Sequence, residues 1–134
     1  MLNCNSTYSD PRQALGRQGE GLAAQYLRRT GYKVLHHNYR APKGGEVDLV
    51  CRDHDTLVFV EVKTRTSDAY GEPADAVTAS KQQLIARGAL AWLKLLGNPE
   101  IHYRFDIAEV RITGRRAEVN VIKNAFVLPE PYRY

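Results

Sequence analysis

Asp48, Glu61 and Lys63 are the residues whose types and spacing could do chemistry in this chain. They stand in "DLVCRDHDTLVFVEVKTR", residues 48 to 65, where a polar turn joins two short apolar runs and the second run carries an acid and a base. Side chains alternate along a strand, so Val58, Val60 and Val62 point one way and Leu57, Phe59, Glu61 and Lys63 the other. In the run before, Glu46, Asp48 and Val50 share one face, and Val47 and Leu49 take the opposite one. A hairpin turn centred between His54 and Asp55 sets Asp48 directly across from Glu61. The most apolar assignment then buries Val47, Leu49, Val58, Val60 and Val62 together, leaving an acid pair with one lysine on the other face.

Two carboxylates held side by side repel, and each resists ionising unless a positive charge sits between them. A divalent cation meets that need: Mg²⁺ takes one or two protein carboxylates and leaves its other positions to water and phosphate. Lys63, on the same face, could hold or help deprotonate an attacking water, or steady charge on a phosphate. This is minimal equipment for phosphodiester hydrolysis. A surface ion pair between Glu61 and Lys63, with Asp48 a solvated edge residue, is the other reading that spacing alone allows.

These residues need elements to hold them. Asp10 before Pro11 is a helix start, Leu15, Gly19, Leu22, Ala23, Tyr26 and Leu27 fall on one stripe, and Gly31 stops the run, predicting a helix over 11–29. Strands follow at 32–39, 46–51 and 57–64, the first two joined by a turn at 41–45, and form a meander. Residues 67 to 75 read as a loop. Thr78 or Ser80 caps a second helix with Leu84, Ile85, Gly88, Trp92, Leu95 and Leu96 on one face, stopped by Gly97 and Pro99. Tyr103, Phe105 and Ile107 alternate as a fourth strand, and 117–122 is a fifth beyond a turn at Gly114-Arg115-Arg116. The second helix separates strands three and four, which therefore pair in parallel through a right-handed crossover. The fold class is α/β, a mixed central sheet flanked by helices.

A chain of 134 residues suits one domain, here 10–134, with residues 1–9 a loose N-terminal extension. Its net charge of +4 and pI near 9.2 lean toward an anionic partner such as nucleic acid. Cys4 and Cys51 show neither metal spacing nor a disulfide framework, which points to a reducing cytoplasm. MLNCNSTYSD lacks the basic start and apolar stretch of a signal peptide, and no run reaches membrane-spanning length, so no membrane partner is expected. His36, His37, His54 and His102 have no ligand spacing, and Trp92 belongs to a core stripe.

"GEVDLV" at 45–50 and "VFVEVKTR" at 58–65 look like the signature of the PD-(D/E)XK nuclease superfamily, an acid ahead of a Glu-X-Lys strand, with Val47 where the name has proline. More closely, the chain from about Gly16 to Val127 resembles the YraN-like family of small bacterial proteins, which is similar in fold to archaeal Holliday-junction resolvases. The resemblance implies a restriction-endonuclease-like core, Mg²⁺ or Mn²⁺ held by Asp48 and Glu61, and Lys63 serving the nucleophile. It also implies a further acid from the first helix: Glu20 in "GRQGEGLAAQYL" matches, at the edge of the apolar stripe beside Ala23 and Leu27. Flanking Gly19 and Gly21 suit close approach of backbone or substrate, or close helix–sheet packing. Glu46 is an extra ligand or a turn-end charge, here assigned a supporting role.

In related nucleases a Lys or Gln near the start of the second helix borders the site, which singles out Lys81 and Gln82. A lysine at a helix N-terminus opposes the dipole, so a local anion would account for it. Arg17, Arg40, Lys43 and Arg65 lie near the site in sequence and would meet DNA phosphates without reading bases. The implied function is a metal-dependent endonuclease acting on DNA, branched DNA included. The alternative is a non-catalytic nucleic-acid-binding module that keeps the fold. Resolvase-type cutting calls for a two-fold homodimer, and the sequence shows no interface for one.

Overall fold

The computed structural model describes residues 10–66 and 77–130. The extension at 1–9, with Cys4, and the loop at 67–75 lie outside the described residues. The elements run α1 Pro11–Arg29, β1 Lys33–Arg40, β2 Glu46–Asp53, β3 Thr56–Arg65, α2 Ala79–Leu95, β4 His102–Thr113 and β5 Arg116–Phe126. One five-stranded sheet has the order β1-β2-β3-β4-β5, with β3 and β4 parallel and the other pairs antiparallel. This is the mixed sheet and the element order that the sequence predicts. No helix among the described residues is long and apolar enough to cross a membrane.

The two helices cover opposite faces. Ala23, Ala24 and Leu27 of α1 pack with Leu49, Cys51, Val58, Val60, Ala108 and Val110. Ile85, Ala89 and Leu93 of α2 pack with Tyr39, Val47, Val50, Phe59, Phe105 and Ile107. α1 begins as predicted, with the Asp10 carboxylate accepting the Arg12 N–H at 2.9 Å and Pro11 at the first helical position. Its buried residues are mostly small, which brings it close to the sheet. A Cβ on Gly19 would lie 1.8 Å from Thr64 Oγ1, whereas one on Gly21 would meet nothing within 4 Å. Gly19 therefore serves helix–sheet packing, and Gly21 faces open space.

α2 is capped by Thr78, whose hydroxyl accepts the Lys81 N–H at 3.2 Å. Its Gly88 touches β2, where a Cβ would come within 2.9 Å of the Glu46 nitrogen and of Val47 Cγ2. Gly45, at φ 110°, faces Gly88 and Arg87 from the other side. These contacts fasten the β1–β2 turn to the helix. Leu95 and Leu96 depart from the predicted apolar face: they stand in the last turn and C-cap of α2, 70% and 50% exposed, and Ile85, Ala89 and Leu93 carry the packing.

The β2–β3 hairpin turns at His54, which adopts φ 56°, between the paired Asp53 and Thr56. Leu49 pairs with Val60 and Cys51 with Val58, the predicted register. One face assignment is corrected. Val47 does not join Leu49, Val58, Val60 and Val62, but packs under α2 with Val50 and Phe59. β2 stops pairing with β3 beyond Leu49, and the Gly45–Gly88 approach draws its first residues toward α2.

On the α1 face of the sheet Asp106, paired with Val60 and fully buried, is satisfied on every side. Arg104 Nε donates to its Oδ1 at 3.0 Å, the Asn124 N–H at 2.9 Å, and the Tyr32 hydroxyl to its Oδ2 at 3.2 Å. Arg104 also reaches Asp53 Oδ2 and the Tyr32 hydroxyl, both at 2.9 Å. This network ties β1's start, β2, β4 and β5 together.

Candidate metal centre

The site forms where β2 and β3 part. Beyond Leu49–Val60 the backbone ladder ends, and the Val62 N–H donates instead to Asp48 Oδ2 at 2.8 Å. A backbone donor that lost its strand partner is thus satisfied by a side chain, and that bond aims the Asp48 carboxylate at β3. Glu61 follows Phe59 on the face under α2 and is only 3% exposed. It shares a side-chain hydrogen bond with Asp48. Burial first, then that bond and the charge of Asp48, push the Glu61 pKa up to about 8, against the pull of Lys81 and Lys63.

The two lysines flank Glu61. Lys63 Nζ is 3.5 Å from Glu61 Oε2, and Lys81 Nζ is 3.7 Å from the same oxygen. Lys81 lies closer still to Glu46, 2.5 Å from Oε1, while Arg40 approaches Glu46 Oε2 at 3.8 Å. The hydrogen bond from Lys81 holds the Glu46 carboxyl below its usual range despite burial. Burial pulls the Lys81 ammonium down, but the Glu46 bond and the charges of Glu61, Glu46 and Asp48 outweigh it and raise its pKa. These acids are the local anions that a lysine at the start of α2 requires.

Glu20 reaches the site from α1, on the other side of Asp48. Asn38 Nδ2 donates to its Oε2 at 3.0 Å, and burial, then the charge of Asp48, raise its pKa against Asn38, Arg40 and Arg17. With Arg17, Asn38 and Arg40 it lines a cleft of about 460 Å³. Asp48 thus stands between two acids, but among the described residues no three His, Cys, Asp or Glu side chains gather closely enough to hold a metal ion as placed.

The other predicted residues divide. Arg17, Arg40 and Lys43 are exposed around this end of the molecule. Arg65 turns to β4, its Nε 3.8 Å from Glu109 Oε1 and buried without a hydrogen-bond partner. The Gln82 amide donates to the Val77 carbonyl at 3.2 Å and so secures the start of α2 instead of facing the acids. Asn38, which orients Glu20, was not singled out by sequence. Its left-handed backbone, φ 52° inside β1, is a conformation asparagine tolerates, but an asparagine in a strand is no signal by itself.

Fold and site together define an α/β protein with an acid cluster and two lysines at the open end of its central hairpin. The chain belongs to the uncharacterised protein family UPF0102, the YraN-like family, whose profile matches residues 19–110. A UPF0102 protein of Geobacter metallireducens is 47% identical over 116 residues, covering 87% of this chain and 94% of its own. One from Nocardia farcinica is 45% identical, covering 86% and 91%. Among solved structures, Archaeoglobus fulgidus Hjc, a Holliday junction resolvase, aligns at TM-score 0.41 and 14% identity over 81% of this chain and 76% of its own.

Proposed function

We propose that this protein is a divalent-metal-dependent endonuclease that hydrolyses DNA phosphodiester bonds. The observation that carries this reading is the hydrogen-bonded pair of half-buried Asp48 and buried Glu61 beside Lys63 where β2 and β3 separate. A buried acid whose ionisation is opposed by a neighbouring carboxylate, in an all-oxygen donor set, fits a hard cation such as Mg²⁺ or Mn²⁺. When bound, such an ion acidifies water and neutralises charge on a phosphate.

The chain's own residues supply the rest. Asp48, fixed by the Val62 N–H, and Glu61, fixed by β3, would hold the ion, with Glu20 positioned from α1 to contribute through water. Lys63, 3.5 Å from Glu61, would orient the attacking water or move its proton. Arg17, Arg40 and Lys43 are exposed cations suited to phosphates, and Lys81 would meet the anion nearest the acids. Action on branched DNA would pair two sites in a homodimer, which sedimentation would detect.

A binding-only role is favoured by one observation: Lys63 and Lys81 already stand 3.5 and 3.7 Å from Glu61 Oε2. Cleavage decides between the two. Wild type, Glu61→Ala and Lys63→Ala are incubated with branched, single-stranded and linear DNA in Mg²⁺ or Mn²⁺. The enzyme reading expects wild type to cut at least one substrate and each variant to lose at least about 100-fold in rate. DNA that is bound but equally intact with all three proteins removes the enzyme and leaves the binding module.

A further inference from the structure

Lys81 enters from α2, an element remote in sequence from the acids it meets. Its ammonium contacts Glu46 Oε1 at 2.5 Å and Glu61 Oε2 at 3.7 Å, and its side chain is 26% exposed. Lys63, by contrast, contacts only Glu61 among the acids of this cluster, at 3.5 Å. An ammonium has no lone pair, so Lys81 cannot join a metal's ligand set. It competes for the carboxylate oxygens that such an ion would use.

Glu46 and Glu61 therefore offer Lys81 two partners, and the shorter contact is with Glu46, the first residue of β2 next to the Gly45 turn. Arg40 stands 3.8 Å from the second oxygen of Glu46, so that carboxylate has a second cation beside it. We propose that Lys81 is the resident cation of the metal-free cluster, displaced from Glu61 when a divalent ion binds, and that Glu46 is its tether and not a metal ligand. This rests on the nuclease-site reading of Asp48 and Glu61. Exchange of one cation for another keeps buried Glu61 beside a positive charge in both states, and leaves Lys81 at the rim with its charge facing any bound phosphate.

Mn²⁺ binding, followed by electron paramagnetic resonance of the free ion, tests this without reference to activity. Lys81→Gln should bind Mn²⁺ about tenfold tighter than wild type, and Lys81→Arg, which keeps the cation, should stay near wild type. Glu46→Gln frees Lys81 to compete at Glu61, so it should weaken Mn²⁺ in the wild-type background and change nothing in the Lys81→Gln background. Circular dichroism confirms that each variant is folded. An equal gain from Lys63→Gln and Lys81→Gln would reduce the effect to net charge and overturn the proposal. Weakening by Glu46→Gln that persists with Lys81→Gln would make Glu46 a ligand and overturn it as well. If wild type binds Mn²⁺ and Lys81→Gln binds it no tighter, this inference fails alone; if neither binds Mn²⁺, the metal site itself fails.

Discussion

The surroundings of Glu61 resist its ionisation. Burial, the hydrogen bond to Asp48 and the charge of Asp48 hold its pKa at about 8, far above that of an unfolded chain. A carboxyl whose pKa rises on folding favours the folded state while protonated. Stability present at low pH is therefore lost as pH climbs from the unfolded pKa, roughly 4.3, toward the folded value, because the unfolded chain has released the proton that the native state retains. Glu61→Gln stays neutral throughout. In metal-free buffer its stability should match wild type near pH 4 and exceed it by roughly 2–4 kcal/mol at pH 9, read from urea denaturation at both ends. A gap that does not widen with pH would mean that Lys63 and Lys81 already keep Glu61 ionised. Neighbouring Lys63 was recognisable from alternation alone, since two residues apart on one strand means one face.

At the scale of elements, the site depends on how closely each helix approaches the sheet. Gly19 lets α1 touch Thr64, one residue beyond Lys63, and a methyl there would overlap the Thr64 hydroxyl. Gly19→Ala should cost about 1–3 kcal/mol in urea melts, part of it recovered by Thr64→Ala. Gly21→Ala should do the reverse: with open space around it, the substitution should stabilise α1 by about 0.5–1 kcal/mol. Two glycines two residues apart thus give opposite signs, which a general propensity effect would not. The sequence placed Gly19 on the apolar stripe and Gly21 off it, but not the Thr64 side chain that Gly19 meets, because that contact is made between elements distant in the chain. α2 illustrates the same limit. Its existence and cap were legible, whereas the contact of Gly88 with Glu46 and Val47 is made across the fold and moves Val47 to the opposite face from the one alternation assigns.

Across the whole molecule the sheet carries two charged clusters, one on each face, with different fates. In the α1-side cluster Asp106, Arg104, Asp53 and Tyr32 satisfy one another, and their polar atoms are spent on holding strands together. In the α2-side cluster Asp48, Glu61, Lys63 and Lys81 gather where strands part, an arrangement that can exchange partners. Asp106→Ala should destabilise the fold by about 3–5 kcal/mol, since it leaves Arg104 partly uncompensated and frees the Asn124 N–H. Mn²⁺ affinity of the protein that remains folded should be unchanged. Loss of Mn²⁺ binding in step with Asp106 would show that the two clusters are coupled through β3 and β4.

What the sequence determined by itself is what rests on local rules. Period-two alternation and a short hairpin set the register of β2 on β3 as far as Leu49–Val60 and put Lys63 on the face of Glu61, because register within a hairpin follows from its turn. Caps, glycines and helical spacing located α1 and α2, and an intervening helix made β3 and β4 parallel. Only the tertiary structure decided which distant residues meet. It joined Lys81 to Glu46 and Glu61, turned Arg65 toward Glu109 and Gln82 toward Val77, and set Glu20 on the far side of Asp48 under the hold of Asn38. Those outcomes depend on helix docking and strand divergence, which arise from packing of the whole core and leave no periodic trace in the chain.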